Sequence, residues 1–160
     1  SGGTLSITLT NTSPAANGGF ITADAFNLAG AASVTSFATT NGNFSLVSGP
    51  INVAPDGTRE FVITATPGAQ PYLGGGSPKG GIAVGNSATF TLGLGGNISG
   101  VTEANVFSSQ LVRFRGFADG GSDKDHTTPG GAVPIPGSFF LFGIGLAGFV
   151  SWHLKSDRRS

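Results

Sequence analysis

Thr4-Leu5-Ser6-Ile7-Thr8-Leu9-Thr10 alternates apolar and hydroxyl side chains without a break. A period of two puts Leu5, Ile7 and Leu9 on one face and Ser6, Thr8 and Thr10 on the other, which is the pattern of a half-buried strand. The alternation returns at Phe61, Ile63 and Ala65, and again at Phe90, Leu92 and Leu94. A last run starts at Val112 and Phe114, with Arg113 and Arg115 expected to face outward. Shorter apolar runs at 20–28, 34–37, 44–47 and 51–53 read as further strands. Turn signals stand between them. In Ala54-Pro55-Asp56-Gly57, proline presets φ and glycine accepts a positive one. Asn17-Gly18, Asn41-Gly42 and Asp119-Gly120 are hairpin or turn dipeptides. Only 102–109 reads as a helical turn or two, with Thr102 as its cap. Short strands joined by turns predict a mainly β chain, with an antiparallel β-sandwich of jelly-roll or Ig-like type over residues 1–118.

Composition narrows the function. The 160 residues include 28 glycines and 9 prolines, yet only 8 basic and 8 acidic side chains. A net charge of zero creates no field to draw in a polyanion, so no nucleic-acid partner is expected. There is no cysteine, hence no disulfide framework and no thiolate chemistry. There is no methionine either, so the first residue is expected to follow a segment removed upstream. Ser1-Gly2-Gly3 reads as a turn leading into the first strand with no strand before it. The sheet edge at 4–10 is then either a plain terminus or a template for strand addition between chains.

Beyond the sandwich the composition changes. Residues 119–137 are rich in polar residues, glycine and proline, and read as a linker. It ends in Val133-Pro134-Ile135-Pro136, which favours extended chain. Residues 138–154 follow without a formal charge, and as a helix they span about 25 Å, slightly short of a ~30 Å hydrocarbon core. Trp152 stands near one interface, and the tail 155–160 carries Lys155, Arg158 and Arg159 against Asp157. The positive-inside bias puts that tail in the cytoplasm and the β domain outside the membrane, with lipid as a partner of the helix. Within the run, Gly143 and Ala147 have the small-xxx-small spacing of a helix-packing face. The overlapping Gly143-Ile144-Gly145-Leu146-Ala147-Gly148 fits a dinucleotide fingerprint in letters only, since prolines precede it where a strand is needed.

A proline motif at Pro134 and Pro136, then an apolar run containing Gly145-Leu146-Ala147-Gly148-Phe149, then a basic cluster, resembles the PEP-CTERM sorting signal of bacterial surface proteins. The body is similar to domains that accompany this tail, at 5–12 and at Val112-Arg113-Phe114-Arg115-Gly116-Phe117 leading into Gly120-Gly121-Ser122-Asp123-Lys124. The resemblance implies export and transient anchoring by the C-terminal helix. It also implies recognition by an exosortase-type processing enzyme at Val133, Pro134 and Pro136, and release to the cell surface or matrix. Lys155, Arg158 and Arg159 would be its basic stop. Ile135 stands where the common motif has glutamate, which leaves open a helix that is retained.

Residues for chemistry are sparse. His126 falls in the linker and His153 at the membrane edge, so neither is placed to serve a Ser-His-Asp triad. Gly74-Gly75-Gly76-Ser77-Pro78-Lys79-Gly80 lacks the Gly-Lys-Ser/Thr order of a phosphate loop. Asp119, Asp123 and Asp125 are weak candidates for oxygen ligands to Ca²⁺, without the spacing of an EF-hand. No cofactor is expected. The leading reading is a non-enzymatic exported surface or matrix protein of the cell envelope. The alternative is a structural or accessory subunit of a membrane complex or filament, which keeps its helix or self-assembles through the edge at 4–10. A secreted hydrolase with its site on loops is a distant third.

Overall fold

In a computed structural model, residues 2–66 and 68–126 are described. The elements run β1 (Gly3–Thr10), β2 (Gly18–Phe26), β3 (Ala32–Thr39), β4 (Ser45–Asn52), β5 (Thr58–Thr64), β6 (Ile82–Ala83), β7 (Ser87–Gly96), α1 (Glu103–Ser109), β8 (Leu111–Phe117) and β9 (Ser122–His126). They form two antiparallel sheets. One has three strands in the order β1-β7-β3, and the other runs β4-β5-β2-β8-β9 with β6 pairing the start of β2. The alternating runs read from the sequence are β1, β5, β7 and β8. The runs at 44–47 and 51–53 belong to one strand, β4, whose register breaks between Ser48 and Ile51. Thr102 caps α1 as expected, its Oγ1 accepting the Asn105 N–H at 3.2 Å.

The inner faces of the two sheets share one apolar core. Ile7, Leu9, Phe90 and Leu92 of the smaller sheet meet Ile21, Phe26, Ile63 and Val112 of the larger. Phe90 lies at its centre, with its ring 5.1 Å from Phe44 and 6.4 Å from Phe37. Strand β2 is the middle of the larger sheet and is buried along both faces, which explains why its sequence does not alternate. A bulge between Ile21 and Ala23 sends Ala23 and Ala25 to the outer face, where Val62, Leu111 and Tyr72 cover them.

Tyr72 belongs to the glycine-rich loop between β5 and β6, which lies across the outer face as a strap. Thr64 Oγ1 donates to the Pro71 carbonyl at 2.7 Å. Arg113 donates to the Tyr72 carbonyl, and Arg115 to the carbonyls of Gly75 and Gly76. The two arginines face outward as expected, and there they act as clamps. Both lie on the outer face of the larger sheet and satisfy loop carbonyls that have no sheet partner. Arg113 and Lys124, paired across β8 and β9, also stand 5.9 and 5.8 Å from the Tyr72 ring centre, within cation–π range.

The expected linker begins too early. Asp119-Gly120 is a hairpin turn, with Gly120 at φ +80° and its N–H on the Phe117 carbonyl at 2.8 Å. After it Ser122–His126 pairs with β8 as edge strand β9. Its polar composition gives no apolar period, and the sheet holds it through backbone bonds. The remainder of the expected linker, 127–137, lies outside the described residues, as do the expected helix 138–154 and tail 155–160. Among the described residues, no helix is long and apolar enough to cross a membrane.

The Tyr72 hydroxyl is buried with no hydrogen-bond partner among the described residues, so its ring holds the strap and its oxygen does not. Tyr72→Phe is expected to leave stability unchanged or raise it by up to about 1–2 kcal/mol. Tyr72→Ala is expected to lower it by about 3–5 kcal/mol in denaturant titration. Equal losses in the two variants would contradict this.

Candidate functional site

The larger sheet ends in protected edges. Strand β9 presents Asp123, Lys124, Asp125 and His126, and β4 is interrupted at Gly49-Pro50, with Gly49 at φ +131°. In the smaller sheet, β3 carries a bulge between Val34 and Ser36. These are the usual devices against edge-to-edge pairing. Strand β1 has none of them. It pairs with β7 over all eight residues in unbroken register, carries no charge, and among the described residues has no strand on its other side.

Which backbone groups face outward follows from the ladder. Asn11 N–H bonds the Asn86 carbonyl, and Thr40 N–H on the β3 side bonds the Thr89 carbonyl, both at 3.0 Å. By antiparallel alternation, Leu5, Ile7 and Leu9 exchange bonds with β7, while Thr4, Ser6, Thr8 and Thr10 point N–H and C=O at the open side. On the solvent face, Thr8 pairs with Thr89 at 2.9 Å and Thr10 with Ser87 at 2.8 Å through their hydroxyls.

Beside this edge lies a groove of about 410 Å³. Its floor is Leu5, Ile7 and Leu94, and its far wall is Ile98, Val101 and Phe107, from the loop into α1 and α1 itself. Leu5, Ile98 and Val101 are only partly covered. The site therefore offers a row of unpaired backbone donors and acceptors above an apolar trough, which is what an added strand needs. The edge was legible in the sequence. Its wall was not, because nothing in the local pattern of 98–107 shows that it returns to Gly3 across the fold.

A second feature had no sequence signal. Asp24 sits on the inner face of β2 between Ile63 and Val112, fully buried. Its Oδ2 accepts from Gln110 Nε2 at 2.8 Å, and Oδ1 has no partner among the described residues. Desolvation drives its pKa up to about 7, and the Gln110 bond offsets only part of that rise. Below that pKa the acid is neutral, set between the aliphatic Ile63 and Val112 with the Gln110 amide as its hydrogen-bond partner. Asp125 on β9 is also raised, first by partial desolvation.

The Ca²⁺ candidates do not converge. Asp119 Oδ1 accepts the Gly121 N–H at 2.7 Å within its turn, and Asp123 Oδ1 accepts the Lys124 N–H. Among the described residues, no group of three carboxylate, histidine or cysteine side chains could hold a metal. His126 lies on β9 rather than in a linker, 3.8 Å from Asp56. The sorting-motif residues Val133, Pro134 and Pro136, the helix-packing pair Gly143 and Ala147, and the basic residues Lys155, Arg158 and Arg159 lie outside the described residues. No protein family, curated protein or solved structure matches the chain.

Asp24 sets a pH dependence with a definite sign. Its folded pKa is above the unfolded one, so the folded state holds the extra proton between about pH 4 and 7 and loses stability as pH rises through that window. The difference is on the order of 4 kcal/mol. Asp24→Asn keeps the shape without the ionisation, so its unfolding free energy is expected to lack that decline and to exceed the wild type's at pH 8. Parallel pH profiles for the two proteins would contradict it.

Proposed function

We propose that this chain is a non-enzymatic exported protein of the cell surface or extracellular matrix, whose C-terminal helix is an address that a processing enzyme reads. The observation that carries the reading is the order of parts in the sequence. A β body is followed by Pro134-x-Pro136, an uncharged run at 138–154, and Lys155, Arg158 and Arg159. In this reading the helix enters the inner membrane from outside, lipid holds it, and the basic cluster stops it at the cytoplasmic face. An exosortase-type enzyme then acts near the prolines and frees the body. We read that body as a sandwich of jelly-roll or Ig-like type. Strands far apart in sequence pair across it, β1 with β7 and β2 with β8, as they do in such sandwiches.

The second reading, a structural subunit that keeps its helix, draws on two observations. Ile135 replaces the acidic residue of the motif, and β1 leaves a pairing edge open. Gly143 and Ala147 would then pack against another membrane helix.

Intact mass separates the two. Native protein isolated from extracellular material is expected to end near 134–137. A chain that retains 138–160 in every fraction, held in a stable membrane complex, would overturn release and favour the subunit.

A further inference from the structure

We infer that β1 pairs edge to edge with β1 of a second copy of this chain, antiparallel and two-fold symmetric about Ile7. The inference rests on the edge alone and holds whether or not the tail is removed. The sequence of the edge is nearly palindromic about that residue. Leu5 mirrors Leu9, Ser6 mirrors Thr8, and Thr4 mirrors Thr10. In a two-fold antiparallel pair each residue meets its mirror position, so apolar side chains meet apolar ones and hydroxyls meet hydroxyls.

The backbone agrees independently. Thr4, Ser6, Thr8 and Thr10 face outward, so a register must set these residues opposite one another for donors to meet acceptors. Centring on Ile7 does so: Thr4 falls opposite Thr10 of the second copy, and Ser6 opposite its Thr8. A shift by one residue opposes outward groups to groups already bonded to β7. Centring on Ser6 or Thr8 keeps the parity but loses a pair at one end.

Charge permits the contact. The edge has no charged side chain and the chain no net charge, so two copies meet without like-charge repulsion. Among the described residues, the edges at β3, β4 and β9 are broken or charged and β6 is two residues long, which leaves β1 as the edge through which two copies can continue a sheet. Ile7 and Leu9 are already buried in each copy's own core, and Leu5, partly exposed beside the trough, is the apolar side chain left for the second strand to cover.

The test uses the full 160-residue chain in detergent, by sedimentation across a roughly hundredfold concentration range. The wild type is expected to dimerise. Ser6→Pro removes an outward N–H and no bond to β7, so it is expected to stay folded by circular dichroism and to weaken the dimer about tenfold or more. The register is read separately. Paired residues in hydrogen-bonded positions stand about 5.5 Å apart at Cα, within disulfide reach, and the natural chain has no cysteine. A mixture of Ser6→Cys and Thr8→Cys chains is expected to cross-link on oxidation, and neither alone. A monomeric wild type, or a Ser6→Pro variant that dimerises as tightly as wild type, overturns the pairing. Either cysteine variant cross-linking alone as readily as the mixture overturns the Ile7-centred register.

Discussion

A strand buried on both faces must find cover for each, and β2 imposes that requirement on the rest of this molecule. Its inner face takes Ile21, Asp24 and Phe26 against the smaller sheet. Its outer face, Ala23 and Ala25, has no second sheet, so the glycine-rich strap and Tyr72 close it. The strap needs partners for its own carbonyls, and Arg113 and Arg115 supply them from the neighbouring strand. The smaller sheet needs only three strands to cover the inner core, fewer than the sheet it faces. That mismatch leaves β1 at an edge with a trough beside it.

Where a segment is half-buried, its sequence shows it. Strands β1 and β7 have one wet face, and their period of two is plain in the residues. Where both faces are buried or both are wet, the signal fails for opposite reasons. Strand β2 mixes small and large apolar residues around an aspartate, and β9 is Ser122-Asp123-Lys124-Asp125-His126, which composition alone assigns to a linker. Arg113 and Arg115 do lie on the outer face, as their alternate positions indicate, but those positions do not reveal the loop they bind. Charge at an alternate position ordinarily means solvent, and here the loop that takes the place of solvent is some forty residues away in sequence. Asp24 is invisible for the same reason, since its cost arises only when Ile63 and Val112 close around it.

Function divides along the chain. The tail speaks through the order of its proline, apolar and basic segments, and the body through a backbone edge that protein folds ordinarily protect. The proposed two-fold pairing would also close: once β1 is taken, the remaining edges among the described residues carry breaks or charges or, at β6, are two residues long.

The most direct measurement is backbone amide exchange along β1, residue by residue, at low and high concentration of the intact chain. The account requires Leu5, Ile7 and Leu9 to be protected at both concentrations through their bonds to β7. It requires Thr4, Ser6, Thr8 and Thr10 to exchange fast when dilute and to gain protection when concentrated. Protection that is uniform along the strand, or an alternation that ignores concentration, would contradict an edge that is open in the single chain and closed by a second one.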